Sequence, residues 1–131
     1  MYYVAYACTD CRRSFKRPGG VGAPFERVCP ACQGTAINLG RHFKPPRRAD
    51  DEQWAKVCYL VKHGFFFQHV YESARGGAII RYPRTLAEAR SFVKKYARQG
   101  GARLLLVKRL REQKEASDGR RRRAPHSPRR T

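Results

Sequence analysis

Five cysteines occur in the chain, and four of them form two Cys-x-x-Cys pairs, Cys8 with Cys11 and Cys29 with Cys32. Two intervening residues let one tight turn present two thiolates to a single ion, and a second such turn completes a tetrahedral shell. The 17 residues between the pairs fall inside the spacing of zinc sites. The set predicts one structural Zn2+ per chain, held by Cys8, Cys11, Cys29 and Cys32. A closed shell of four thiolates has no position for a metal-bound water, so such an ion folds the chain without reacting. Iron in a rubredoxin-like site is an alternative that suits a less basic surface. A redox dithiol is another, and it would not need four cysteines. Gly34, just past the second pair, is expected to let the chain fold back and turn backbone amides toward the sulfurs. Cys58 is expected on the apolar stripe of a helix, as a small hydrophobe. A Cys58 nucleophile working with His63 or His69 would need an electropositive, exposed thiolate setting that the sequence does not supply.

The second feature with chemical content is charge. Lys and Arg number 29 against 10 Asp and Glu in 131 residues, a formal +19. So large an excess strains a compact chain by self-repulsion unless a polyanion meets it, which points to nucleic acid. The excess is spread as +7 over residues 1–49, +7 over 50–110 and +5 over 111–131. The candidate phosphate contacts are Arg12, Arg13, Lys16 and Arg17 between the cysteine pairs, and Arg41, Lys44, Arg47 and Arg48 after them. To these are added Arg90, Lys94, Lys95 and Arg98 farther on, and Arg120, Arg121, Arg122 and Arg123 near the end. Tyr2, Tyr3, Tyr6, Phe65, Phe66, Phe67 and Tyr71 could stack on unpaired bases, although most are expected in the core. A membrane surface would call for a basic amphipathic helix with a bulky apolar face or a lipidation site, and neither stands out. No run approaches the roughly 18 apolar residues of a membrane span. The amino terminus lacks a signal peptide's charged and apolar regions, so a reducing compartment is expected, where paired cysteines bind metal rather than each other.

These groups must be positioned by small elements. Residues 2–6, 25–28 and 36–39 are β-prone and each adjoins a cysteine pair. Pro45 and Pro46 make 44–49 an extended linker. Asp50 or Asp51 can cap a helix starting near Glu52, with Trp54, Val57, Cys58 and Val61 on one face and Gly64 as its stop. Residues 65–71 and 78–82 read as a strand pair. Thr85 and Glu88 form a capping box opening a helix to about Gln99, which would place Arg90, Lys94 and Arg98 on one face. Gly100 and Gly101 are expected to end it, before a final buried strand over 102–108. Beyond Glu112 the apolar pattern fades into 119–131, which cannot build a core and is expected to be disordered when free.

At its cysteines the chain resembles the zinc-ribbon superfamily, in which two knuckles on β-hairpins hold zinc. The second knuckle, Cys29-Pro30-Ala31-Cys32 followed by Gln33 and Gly34, carries most of the likeness, which spans roughly residues 2–40. The first departs from the common pattern, with Asp10 and Arg12 where proline and glycine often stand. Residues 38–54 are also similar to the continuation seen in small uncharacterised bacterial ribbon proteins. The resemblance implies a scaffold rather than an activity.

The fold class expected is therefore α+β: an N-terminal zinc ribbon followed by a small α-β-β-α-β unit and a disordered basic tail. The ribbon is assigned to residues 1–43, a linker to 44–49, the α/β unit to 50–111 and the tail to 112–131. The function expected is non-enzymatic nucleic-acid binding in the bacterial cytoplasm or nucleoid, with no membrane and no small-molecule substrate. RNA in a ribosome-associated setting is favoured slightly over DNA, and a larger ribonucleoprotein or transcription assembly is a candidate partner. The alternative is a protein-interaction module of a transcription or DNA-repair complex.

Overall fold

The computed structural model describes residues 2–73 and 75–129, and the side chains described end at Gln113. The chain is mixed α/β, with the four-cysteine cluster carried by the amino-terminal strands and their turns and three helices following among the described residues. Strands β1 (Tyr3–Cys8), β2 (Arg13–Pro18), β3 (Glu26–Val28) and β4 (Thr35–Asn38) form an antiparallel sheet in the order β2-β1-β4-β3. Helix α1 (Asp51–Lys62) precedes a hairpin of β5 (Val70–Ser73) and β6 (Gly76–Ile80), and α2 (Leu86–Lys95) and α3 (Ala97–Arg129) complete the chain.

The alternation of side chains along β1 sends Ala5 and Ala7 to one face of the sheet and Val4, Tyr6 and Cys8 to the other. The inner face packs Ala5, Ala7, Leu39 and Phe43 against Trp54 and Val57 of α1, Phe66, and Val107 of α3. The outer face buries Tyr6, Cys8, Cys29 and Ala36, with Phe15 packed against them. A third cluster joins Leu60 of α1, Phe65 and Val70 to Ala89, Phe92 and Val93 of α2 and to Tyr96.

Local chemistry accounts for the helix ends. Asp50 is the N-cap of α1, its side chain accepting from Gln53 N at 3.1 Å. At the other end Gly64, at φ 90°, donates to Val61 O and Phe65 donates to Leu60 O, the paired bonds of a Schellman stop. Thr85 caps α2 by accepting from Glu88 N at 3.1 Å. The Glu88 carboxylate reaches back one residue beyond the cap, accepting from Arg84 N at 3.4 Å.

Four expectations need correction. The segment 102–108 is helical, not a strand, because only Val107 of it is buried and its neighbours are good helix formers. Gly100 is no stop: it lies inside α3, where a Cβ would come within 2.5 Å of both His63 O and the Phe65 ring. The run Phe65 to Gln68 is not a strand either. The Gln68 side chain accepts from Phe66 N at 2.6 Å and donates to Gly64 O at 3.0 Å, replacing a strand partner with itself. The three phenylalanines thereby divide among the clusters instead of facing two sides of a sheet. Cys58 also departs from its assigned stripe and lies exposed on α1, off the buried line of Trp54, Val57 and Leu60. The expected disorder of 112–131 concerns residues 130–131 and side chains from 114 on that lie outside those described, while α3 backbone runs to Arg129.

Candidate metal centre and basic face

Antiparallel pairing of Cys8 with Arg13 places the first cysteine pair in the β1–β2 turn, and the β3–β4 turn carries the second. In the first turn Arg12 N donates to Cys8 O, and in the second Gln33 N donates to Cys29 O, both at 2.9 Å. Arg12 and Gln33 both adopt left-handed backbone, at φ 59° and 66°. The first turn thus matches the second in geometry even though an arginine stands where glycine would fit most easily. The left-handed region costs a non-glycine residue roughly 1–2 kcal/mol. Gln33→Gly is accordingly expected to raise stability by up to about 1 kcal/mol after the entropy that glycine loses on folding. Chemical denaturation of the two proteins measures it, and a lower midpoint for the variant would contradict the strain argument.

The four Sγ atoms all lie within 4.8 Å of one another. Cys8 to Cys32 and Cys11 to Cys29 are each 3.6 Å apart. A tetrahedral ion with bonds of about 2.3 Å to sulfur sets its ligands about 3.8 Å apart, so the cluster suits one metal ion. Gly34 N donates to Cys32 Sγ at 3.4 Å, as expected of its position. A Cβ on Gly34 would lie 3.2 Å from that sulfur and 3.1 Å from Asp10 Oδ2, so a larger residue there would have to push the Asp10 side chain or the sulfur aside by a few tenths of an ångström. As thiols Cys11 and Cys29 are unlike. Burial pushes Cys11 up to about 12, whereas the backbone N–H groups of Cys32 and then Ala31 pull Cys29 down to about 7. Burial also raises Cys8. An incoming ion must displace these protons. Cys58 lies outside the cluster, and its thiol is pushed up by desolvation, with the Arg12 guanidinium opposing.

The basic residues fall into several places. Arg12 bonds to Arg48 O at 3.1 Å and pairs with Asp51, and Arg48 Nε donates to Cys11 O, which ties the linker to the first turn. Arg13, Lys16 and Arg17 are exposed on β2. Arg41 sits over the Tyr2 ring at 5.1 Å, and Lys44 and Arg47 are exposed after β4. Arg90, Lys94 and Lys95 are exposed on α2, Lys95 lying over Tyr96 at 5.5 Å. Arg98 belongs to α3, because the helix breaks at Tyr96, and it does not continue the Arg90–Lys94 line along one helix. Arg120, Arg121, Arg122 and Arg123 have side chains outside those described. Two residues escaped the sequence reading: Phe15 and Arg27. Both line the outer sheet face, and the period of two that pairs Phe15 with Arg17 on β2 was the signal for the first.

No protein family, curated protein or solved structure matches the chain. No helix among the described residues is long and apolar enough to cross a membrane.

Proposed function

We propose that the four cysteines hold one structural zinc ion, that residues 1–43 form a zinc ribbon around it, and that the protein is a non-enzymatic nucleic-acid-binding protein. RNA, in a ribosome-associated setting, is favoured slightly over DNA. Zinc is preferred to iron because a redox-inactive ion suits four thiolates whose role is to fold the chain. The observation that carries the binding reading is unmet charge. Against a formal +19 the described residues contain two ion pairs, Arg12 with Asp51 and Arg111 with Glu26. Phosphates are the counter-ions that would relieve the remainder.

Affinity for nucleic acid is expected to fall steeply with salt, with a log–log slope of about −0.7 to −0.9 per neutralised phosphate. Deleting 119–131 removes six arginines and is expected to flatten that slope and weaken binding equally for all sequences. Replacing Arg90, Lys94 and Arg98 with glutamine is expected to impair discrimination among ligands as well, because groups on folded elements set the ligand's position. Titrations of labelled oligonucleotides at several salt concentrations measure all three. A second reading, a protein-interaction module of a transcription or DNA-repair complex, is favoured by Leu104, Leu105, Leu106 and Leu110, which are 38 to 49 % exposed on α3. Absence of nucleic-acid binding at low salt would favour that second reading.

A further inference from the structure

The outer face of the amino-terminal sheet carries a row of cations and rings. Arg17 lies over the Phe15 ring at 4.7 Å, Phe15 stacks on Tyr6 with centroids 5.6 Å apart and planes at 12°, and Arg27 lies over Tyr6 at 5.0 Å. Tyr6 is fixed from below, wholly buried and donating its hydroxyl to Pro24 O. The row borders a groove of about 620 Å3 that runs from Phe15 and Arg17 on β2 to Arg27 on β3 and ends at Gln33 and Gly34. That volume falls within the roughly 300–1,000 Å3 of small-ligand clefts. By the period of two along β1, Tyr2 lies on the same face as Tyr6, about 13 Å away, with Arg41 over its ring.

The cations of this groove lack acidic partners, although Arg17 Nη1 donates to Lys16 O at 2.8 Å. Neither Arg17 nor Arg27 takes part in an ion pair among the described residues, and the one acid of the lining, Glu26, is held by Arg111 at 2.8 Å. Arg27 Nε is buried and has no hydrogen-bond partner among the described residues. A charged donor left so is destabilising, so the Arg27 side chain gains from any shift that brings it to an acceptor in the groove.

Held flat over Phe15 and the buried Tyr6, the guanidinium planes of Arg17 and Arg27 offer a surface on which a nucleobase can stack, and the same groups can bond the phosphate beside it. Bases in a duplex have both faces covered and cannot use such a surface. We infer that this groove binds unpaired nucleobases, so that the preferred ligand is single-stranded nucleic acid, with Arg27 and Arg17 as its base and phosphate contacts. The inference rests on the nucleic-acid reading above and narrows it.

The test uses the full, metal-loaded chain and three labelled probes: an oligouridine of about 12 nucleotides, within the roughly 4–16 that a small single-strand-binding fold covers, its deoxythymidine counterpart, and a duplex of equal length. Arg27→Lys keeps the charge and removes the planar fork. It is expected to weaken both single strands by about 5- to 160-fold, the range of one lost stack, while the duplex changes by less than about twofold. Equal loss on all three probes, or no loss on any, overturns the groove and leaves general nucleic-acid binding standing. Failure of the unaltered chain to bind any probe at low salt removes both readings. Binding of an acidic polypeptide instead, sensitive to Arg27→Lys, would make the groove a protein-docking surface and overturn the inference. Should the variant not fold, photocrosslinking of the unaltered chain to thiouridine-substituted oligouridine decides. Adducts on peptides containing Phe15 or Arg27 support the groove, and adducts confined to α2 or the carboxy-terminal arginines overturn it.

Discussion

Stripping the metal, or changing Cys29 to serine, is expected to unfold the amino-terminal sheet and shift Trp54 emission to longer wavelength. Trp54 is the single tryptophan and is 1 % exposed. Its ring packs in one cluster with Ala5 and Ala7, and its Nε1 donates to Arg47 O at 3.0 Å. If the sheet lets go, the indole meets water. Binding energies of about 10–16 kcal/mol for structural zinc in zinc-finger peptides match or exceed the whole stability of a domain, about 5–15 kcal/mol. Two of the four strands are short, β3 spanning three residues and β4 four, and both adjoin the second cysteine pair. Emission spectra and melting curves with and without chelator read the effect. Unchanged emission and an unchanged midpoint in a sample shown to be metal-free would refute the structural role of the site.

The other large effect is expected at Gly64. A Cβ there would lie 1.9 Å from Gly100 O, and the residue holds φ at +90°. The left-handed backbone alone costs alanine roughly 1–2 kcal/mol, and forcing α1 and α3 apart adds about 1–3 kcal/mol of overpacking. Gly64→Ala is therefore expected to cost at least about 3 kcal/mol in denaturant unfolding. Gly101→Ala supplies the contrast, since nothing lies within 4 Å of its added Cβ. Inside a helix that change is expected to stabilise by about 0.5–1 kcal/mol. If the two variants shift stability in the same direction, the close approach of Gly64 and Gly100 does not exist in solution.

These neighbouring glycines also mark where sequence stops being legible. Gly64 was readable as a helix stop because its signal is local: a glycine directly after an apolar stripe. Gly100 looked identical but is set by a contact with residue 63, which no local pattern announces. The cysteine cluster was readable for the opposite reason, since ligand type and spacing specify the turns almost directly. Asp50 and Thr85 likewise act within three residues of themselves. Phe65 to Gln68 has the composition of a strand, yet a glutamine side chain satisfies the backbone there, and tertiary burial overrides propensity. Leu104 to Val107 read as a strand because four consecutive apolar residues do not reveal which of them is buried. Arg27 was passed over because the ring beneath it comes from a strand two positions away in the sheet.

The inner cluster draws Ala5 and Ala7, near the start of the chain, together with Val107, near its end. A ribosome delivers these parts at different times, amino terminus first. All four cysteines of the cluster and the strands bearing them are present once β4 has emerged, so the ion proposed above could be taken up early. The reverse side of that sheet stays bare until α1, then Phe66 and finally Val107 are made. A chain halted before α1 could therefore hold the proposed ion while showing Ala5, Ala7 and Leu39 to chaperones, and metal content alone would not distinguish it from the finished protein.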